Sequence, residues 1–235
     1  MKSLLWSILI FTAGTVAAEE RIFQSPEHRV SLVELYTSEG CSSCPRAEEK
    51  LNRFSDHKGL WNEFVPVAFH VDYWNYIGWD DRFSKPEFTA RQRQYSKHWK
   101  ARTIYTPCFV INGEATRHPV PKAGKRNPGT LKAKLNGSNL SVRFEPTQKH
   151  KKLNVWAAPL SGKESTAVKA GENRGRTLEH CFVALDLDQK AMIQNAGIWT
   201  AELKLNGALP ASALAVWISN DRNLEPIQAT GGWLK

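Results

Sequence analysis

The chain has 235 residues, of which 41% are hydrophobic and 23% are charged. This length and composition allow one large domain or two modest ones and exclude wholesale disorder. The net charge of +9 is concentrated in residues 114–152, which hold ten Lys or Arg and two acids. We interpret this basic stretch as a solvated surface, with an anionic surface or an acidic partner as the alternative. The chain contains no nucleic-acid-binding motif, so no nucleic-acid partner is expected.

The first eighteen residues have the features of a secretory signal peptide. Lys2 precedes an apolar stretch from Leu4 to Phe11, and small residues occupy positions 16–18. Cleavage is predicted after Ala18, which places the mature protein in the periplasm or outside the cell. An uncleaved anchor is the alternative, although the apolar stretch is short for a membrane span. No transmembrane segment is expected in the mature chain, and export permits disulfides among the four cysteines.

The residues that follow predict strands and helices in alternation. Val30–Tyr36 is rich in branched and aromatic residues, which favours a strand, and Phe64–Val71 is an apolar run of the same kind. Between them, Ala47, Leu51 and Phe54 have helical spacing, with Arg46, Glu48, Glu49 and Lys50 on the other sides. Strand, helix and strand predict a right-handed parallel unit.

Further elements are predicted up to residue 137. A capping-box pattern at 84–87 predicts a helix from Pro86 to about Trp99. Cys108–Ile111 is a short apolar run followed by the turn pair Asn112-Gly113. Pro128–Leu135 is predicted to be a short helix that Gly137 ends.

The pattern changes from Asn139 onward. Apolar segments at 139–144, 153–159, 180–187, 201–205 and 213–219 alternate with turn residues. The predicted fold class is therefore an α/β domain followed by a small all-β, antiparallel, sandwich-like domain. The predicted boundaries are 28–138 for the first domain, with an aromatic helical insertion at 72–100, and 139–235 for the second.

A Cys-x-x-Cys motif, Cys41-Ser42-Ser43-Cys44, lies between the first strand and the first helix. Two cysteines at this spacing can close a disulfide, and in a redox protein the first is exposed at the helix start while the second resolves a mixed disulfide. Cys41 is therefore the expected nucleophile. The helix dipole lowers a thiol pKa by less than about one unit, so direct hydrogen bonds must supply the rest. A purely structural disulfide is the alternative.

Other residues are candidates for the same site. His70 and Asp72 follow the second strand, where they could transfer protons for Cys44 or could instead anchor the aromatic insertion. The insertion itself is interpreted as a local core, with a peptide-binding surface as the alternative. Thr106-Pro107 enters a later strand and could place backbone next to the cysteines.

These motifs resemble a known group of proteins. Residues 30–137 resemble the thioredoxin superfamily. The run Val33–Pro45, with Phe69–Trp74, is similar to a family of secreted bacterial thioredoxin-like proteins of unknown function. The resemblance extends to residues 105–107 and 171–178. It implies a thioredoxin-like fold and a cis Thr106–Pro107 peptide facing Cys41, and it supplies no substrate.

Two cysteines and one loop remain open to several interpretations. Cys108 and Cys181 could form a bridge that stabilises the protein by about 2–4 kcal/mol. Alternatively, Cys108 could be a third redox thiol, or both could be free and buried. The run Gly171–Leu178 is interpreted as a connecting loop, whose charges could instead border the redox site or hold an anion.

The function favoured by the sequence is an exported thiol–disulfide oxidoreductase that acts on protein or small-molecule thiols and disulfides, without a cofactor. One alternative is Cu(I) or zinc handling by Cys41, Cys44 and His70. Another is a non-catalytic binding module of the cell envelope, in which the Cys41–Cys44 disulfide is structural. No nucleotide, phosphate or Ser-His-Asp motif competes with these functions.

Overall fold

The computed structural model describes residues 20–206, 210–221 and 224–234. The predicted signal peptide, residues 1–18, lies outside the described residues. Two α-helices are described, α1 (Pro45–Asn52) and α2 (Pro86–His98), with 3-10 turns at Arg53–Asp56 and Asn75–Ile77. The strands are β1 (Arg21–Gln24), β2 (Ser31–Thr37), β3 (Phe64–His70), β4 (Cys108–Ile111), β5 (Glu114–Thr116), β6 (Gly129–Asn136), β7 (Asn139–Pro146), β8 (Leu153–Leu160), β9 (Glu164–Ala167), β10 (Thr177–His180), β11 (Asp188–Ala191), β12 (Ile193–Asn195), β13 (Ile198–Lys204), β14 (Ala213–Asn220) and β15 (Pro226–Trp233).

The strands form three larger sheets and a two-stranded one. The first sheet has the order β3-β2-β4-β5, the second β11-β8-β14-β15, and the third β1-β6-β7-β13-β12, while β9 pairs with β10. Within the first sheet β2 and β3 run parallel, whereas β4 is antiparallel to β2. Every residue of β2 and β3 is buried, as expected for strands that are covered on both faces.

The predicted fold class, an α/β thioredoxin-like domain followed by a small all-β domain, is wrong. Strands make up 43% of the structure and helices 13%, with only two α-helices among the described residues. The first sheet lacks the full helical layer of an α/β domain, since β15 packs directly on β2 and β3. The architecture is mostly β, built from several antiparallel sheets.

The predicted helix at 128–135 is strand β6, which explains part of this error. Leu131, Ala133 and Leu135 are buried whereas Lys132 and Lys134 are exposed, which is the two-residue alternation of a strand. Gly137 does not end a helix. It has φ +59° and stands in the two-residue turn between the paired strands β6 and β7.

Two hydrophobic clusters hold the sheets together, and the second sheet contributes to both. Trp156 and Ala158 of β8 belong to the first cluster, with side chains of β2, β3 and α2. Val155 and Ala157 of the same strand belong to the second cluster, with side chains of β6, β7 and β13. Alternate residues of one strand thus bury opposite faces of its sheet. The predicted division at residue 138 stays a prediction.

A buried ion pair connects β2 to α2. Arg91 Nε lies 2.7 Å from Glu34 Oε1, and Tyr95 donates to Glu34 Oε2 at 2.5 Å. The guanidinium carbon also lies 4.7 Å from the centre of the Trp156 ring. Burial opposes the charge on Arg91, but Glu34 outweighs it and keeps the pKa of Arg91 above its ordinary value.

Neither described helix combines the length and apolar character that a membrane crossing requires. All ten Lys and Arg residues of the basic stretch at 114–152 are exposed. They therefore form a solvated surface in the structure.

Candidate functional site

The two cysteines of the motif lie in the turn that leads from β2 into α1. The Cys41 N–H donates to Ser38 O at 3.2 Å, and the Cys44 N–H donates to Cys41 O at 3.1 Å. Cys44 is the residue before the first helical turn, and Pro45 occupies the first position of α1. Proline suits this position because its missing N–H has no partner inside the helix.

Hydrogen bonds lower the pKa of Cys41 to about 6. The largest contribution comes from Cys44, and it outweighs the burial of Cys41, which acts in the opposite direction. The Cys41 Sγ also lies 3.3 Å from Ser43 Oγ and 3.8 Å from Thr106 O. Burial raises the pKa of Cys44 instead. Cys41 therefore ionises first, which is the order that a nucleophilic Cys41 and a resolving Cys44 require.

The expectation that Cys41 is exposed is not met. Cys41 is 1% exposed, and an aromatic cover formed by residues 74–79 lies over the turn. Trp74 Nε1 donates to Thr106 Oγ1 at 2.8 Å, and a Cβ placed on Gly40 would lie 3.1 Å from the Trp74 Cβ. Trp79 Nε1 donates to Glu39 Oε2 at 2.7 Å. The cover thus contacts the chain on both sides of the Cys41 sulfur.

The loop at 171–176 contacts the turn from another side. The Ser42 N–H donates to Glu172 Oε2 at 3.0 Å. The Asn173 side-chain amide donates to Glu39 O at 2.8 Å and to Cys41 O at 3.0 Å, and Arg176 donates to Asn173 Oδ1 at 2.9 Å. This loop therefore borders the cysteines, which is one of the two roles considered for the run Gly171–Leu178.

Replacing Asn173 with alanine is expected to lower the free energy of unfolding by roughly 1–3 kcal/mol, because two backbone carbonyls would lose their buried donor. Asn173 is 0% exposed. Arg174→Ala is the matched control, since Arg174 is exposed and its loss should change stability by less than about 0.5 kcal/mol. Urea denaturation of both variants measures the difference. Equal stability of the two would show that Asn173 does not hold the turn.

The Thr106–Pro107 peptide bond is cis, as the resemblance implied. Gln92 Nε2 donates to the neighbouring Tyr105 O at 2.7 Å and attaches this segment to α2. A groove of about 230 Å³ runs beside it and carries three cationic side chains and no acid. Its lining comprises Ser43, Arg46, Ala47, Lys50, Tyr105, Pro107, Phe109, Thr116 and Arg117. Tyr105 is 54% exposed there, so the groove is open to solvent next to the motif.

His70 and Asp72 bind partners other than the cysteines among the described residues. His70 Nδ1 lies 2.7 Å from Asp81 Oδ2, and both side chains are buried. Burial lowers the pKa of His70, but Asp81 outweighs it, so this pKa is raised. Asp72 Oδ1 accepts from Thr89 Oγ1 of α2 at 2.6 Å. These contacts match the anchoring role that was considered for the two residues.

A second buried group of acids and histidines was not predicted from the sequence. His180 Nδ1 pairs with Glu48, and His180 Nε2 lies 3.2 Å from Glu39 Oε1. Burial lowers the pKa of His180, but the two carboxylates outweigh it and raise this pKa to about 10. Burial raises the pKa of Glu39, but the hydrogen bond with His180 and other lowering interactions outweigh burial, so this pKa is lowered. No sequence pattern marks Glu48, because its neighbours Arg46, Glu49 and Lys50 indicate a solvent-facing side of α1.

The two cysteines outside the motif, Cys108 and Cys181, lie far from each other. Cys108 and Cys181 are both free thiols. Cys108 on β4 pairs with Tyr36 on β2, and β3 lies on the other side of β2. Val183, two residues after Cys181, pairs with Ala68 of β3. Three strand spacings amount to about 14 Å, whereas a disulfide needs Cα atoms within about 7 Å. The structure thus does not bring Cys108 and Cys181 together. Burial raises the pKa of Cys108, so this thiol differs from Cys41.

Comparisons with other proteins concern the family and the fold. A family model described as "Protein of unknown function (DUF1223)" matches residues 32–219. The fold is similar to the X-ray crystal structure of a protein from Agrobacterium tumefaciens, with a TM-score of 0.62 and 23% identity, covering 89% of this chain and 96% of that chain. It is also similar to HBP35 of Porphyromonas gingivalis, with a TM-score of 0.59 and 14% identity, covering 88% and 76%. No curated protein matches the chain.

At these identities, the likeness to the two solved structures extends to the fold alone. The matching family carries no description of a redox activity, and its model is not described as thioredoxin-like. The classification of the chain as a thioredoxin-like oxidoreductase is therefore corrected to membership of a family of unknown function with a mostly β fold.

Proposed function

This chain belongs to the DUF1223 family, whose function is unknown, and from the geometry of its site we propose that it exchanges disulfide bonds with protein or small-molecule thiols. The observation that carries this proposal is the unequal pair of sulfurs in one turn. Cys41 has a pKa of about 6, whereas the pKa of Cys44 is raised. The predicted signal peptide supports a location outside the cytoplasm, where disulfides persist.

The proposed exchange conserves atoms and electrons in two steps. The Cys41 thiolate attacks one sulfur of a substrate disulfide, the substrate S–S bond breaks, and one substrate thiolate leaves. Cys44 then attacks the Cys41 sulfur of the mixed disulfide, releases the second substrate thiolate and passes its proton to a departing thiolate. The protein pair loses two electrons and the substrate gains them. The reverse sequence oxidises a substrate dithiol.

Access to Cys41 is the main constraint on the substrate. Because Cys41 is 1% exposed, a substrate sulfur reaches it only after the segments around the turn, the aromatic cover among them, move apart. The groove beside Pro107 offers the open approach, and its cations are Arg46, Lys50 and Arg117. These charges favour thiols or disulfides whose neighbouring groups are acidic.

The pH dependence of the exchange tests the proposal. In a Cys108→Ser/Cys181→Ser background, we expect the rate of reaction with oxidised glutathione to rise about tenfold per pH unit below pH 6 and to level off near pH 7. The sign follows from the lowered pKa of Cys41, because the thiolate is the attacking species and already predominates above about pH 6. Stopped-flow or quenched-sample measurements give the profile.

An unperturbed thiol behaves differently and supplies the contrary outcome. Its rate would keep rising through pH 8, because an ordinary cysteine has a pKa near 8.5. A profile of that kind, or no reaction in the folded protein at any pH, would refute the proposed exchange and leave the motif with a structural role.

A further inference from the structure

A buried cluster of two histidines and one carboxylate lies one helical turn from the motif. Glu48 is on α1, His70 ends β3 and His180 ends β10. Each offers one ligand atom, and these atoms all lie within 4.8 Å of one another. We propose that Glu48, His70 and His180 form a binding site for a zinc ion. The site is separate from the thiol chemistry, because neither Cys41 nor Cys44 belongs to the cluster.

Polar atoms without hydrogen bonds point to a ligand at this place. His70 is 0% exposed, and its Nε2 atom has no hydrogen-bond partner in the described part of the chain. His180 Nε2, in contrast, faces Glu39 Oε1 at 3.2 Å in an ion pair, so His70 Nε2 is the cluster atom that has no partner there. A buried polar group without a partner is costly, and such groups are rare in folded proteins. A cation between the imidazole nitrogens and the carboxylate would satisfy the His70 atom.

The surroundings hold His70 and Glu48 as metal ligands are held. The Asp81 carboxylate can only accept, so the contact of 2.7 Å places the proton of His70 on Nδ1 and leaves the Nε2 lone pair free to bind a metal. Asp81 is itself held by the backbone N–H groups of Glu39 and Phe83, at 2.9 and 3.0 Å. Thr37 Oγ1 donates to Glu48 Oε1 at 2.5 Å. Outer partners of this kind orient the ligands of metal sites.

The donor set and the burial select zinc. Two imidazole nitrogens and one carboxylate oxygen suit Zn²⁺, whereas Ca²⁺ and Mg²⁺ prefer oxygen ligands alone. Two histidines and a carboxylate also bind Fe(II) in oxygenases, but those sites keep positions open to substrate. Glu48, His70 and His180 are all buried, so the ion would be closed off from solvent, and a fourth ligand such as the Glu39 carboxylate beside His180 would complete its tetrahedral coordination. The ion would therefore hold α1, β3 and β10 together and would not contact an external substrate.

Metal titration of the purified full chain tests the site. We expect one Zn²⁺ per chain by equilibrium dialysis, both in the unmodified protein and in a Cys41→Ser/Cys44→Ser variant. Co²⁺ used as a probe should give visible ligand-field bands without the near-ultraviolet band of a thiolate ligand. Excess Zn²⁺ should raise the thermal midpoint of both proteins, because an ion that binds only the folded state stabilises it.

Substitutions in the cluster separate the site from adventitious binding. His70→Gln should abolish Zn²⁺ binding, and Asp81→Asn, which keeps all three ligands, should weaken it by about 10–100-fold. If His70→Gln does not fold, the Zn²⁺ affinity of Asp81→Asn decides whether the cluster binds the ion. Absence of Zn²⁺ binding by the folded unmodified protein would overturn the site and leave the cluster as a metal-free ion-pair network. Binding that requires Cys41 and Cys44 would also overturn it, because the ion would then be held by the thiols.

Discussion

Replacing Cys41 with serine is expected to reduce disulfide exchange to the uncatalysed rate, whereas replacing Cys44 with serine should trap the substrate on Cys41. The two results differ because the sulfurs perform different steps. Cys41 has the lowered pKa and makes the first attack, while Cys44 is needed only to resolve the mixed disulfide. Intact-protein mass spectrometry after mixing with oxidised glutathione would show one glutathione adduct on Cys44→Ser and none on Cys41→Ser.

Serine variants of the other cysteines provide the control for this experiment. Cys108 and Cys181 are free thiols with raised pKa values, so replacing both should leave the adduct on Cys44→Ser unchanged. Loss of the adduct in that background would assign the attack to a different sulfur. Exchange that survives in Cys41→Ser at the original rate would contradict the proposed roles of both cysteines in the motif.

The buried ion pair between Arg91 and Glu34 is expected to contribute strongly to the stability of the fold. Arg91→Met should lower the free energy of unfolding by about 3–5 kcal/mol, because it leaves the carboxylate of Glu34 buried without its partner. Arg91 is 1% exposed and lies over the Trp156 ring, so its loss also removes packing. Urea denaturation followed by tryptophan fluorescence measures the change.

Two further variants distinguish the lost charge pair from a general effect on α2. Arg93 is an exposed arginine on the same helix, and Arg93→Met should change stability by less than about 0.5 kcal/mol. The double variant Glu34→Leu/Arg91→Met should recover part of the loss, since no unpaired charge then remains buried. If the double variant is no more stable than Arg91→Met alone, an unpaired Glu34 carboxylate is not the cause of the loss.

Local signals in the sequence predict the elements around the motif well. The strand and helix patterns at 30–36, 45–54, 64–71 and 86–99 correspond to β2, α1, β3 and α2. These elements could be predicted because each has a periodicity or a proline within its own residues, whereas the capping box predicted at 84–87 is not formed, since Lys85 precedes α2 and no side chain caps it. The segment 128–135 was misread as a helix because Gly137 can end a helix or stand in a hairpin turn. The alternation of Leu131, Ala133 and Leu135 with two lysines is itself a strand pattern, and the pairing of β6 with β1 and β7 agrees with it.

Contacts between distant segments account for what the sequence did not predict in the site. The motif and Thr106-Pro107 are recognisable as short runs, and the structure places Thr106 next to the Cys41 sulfur. The contact of Glu48 with His180 joins residues 132 positions apart, and no local pattern encodes it. The contact of Trp74 with Thr106, beside the Cys41 sulfur, likewise joins residues 32 positions apart. The fold class was wrong for the same reason, since β15, from the far end of the chain, packs on β2 and β3 in addition to α1 and α2.

The burial of Cys41 also bears on oxidative damage to the protein. A cysteine that is ionised at neutral pH is usually vulnerable to peroxides, which convert it to sulfenic acid and then irreversibly to sulfinic and sulfonic acids. Cys41 has such a pKa, yet it is 1% exposed. Trp74 binds Thr106, whose carbonyl oxygen lies 3.8 Å from that sulfur. Burial therefore limits the access of peroxides to a thiol whose pKa alone would make it sensitive to them.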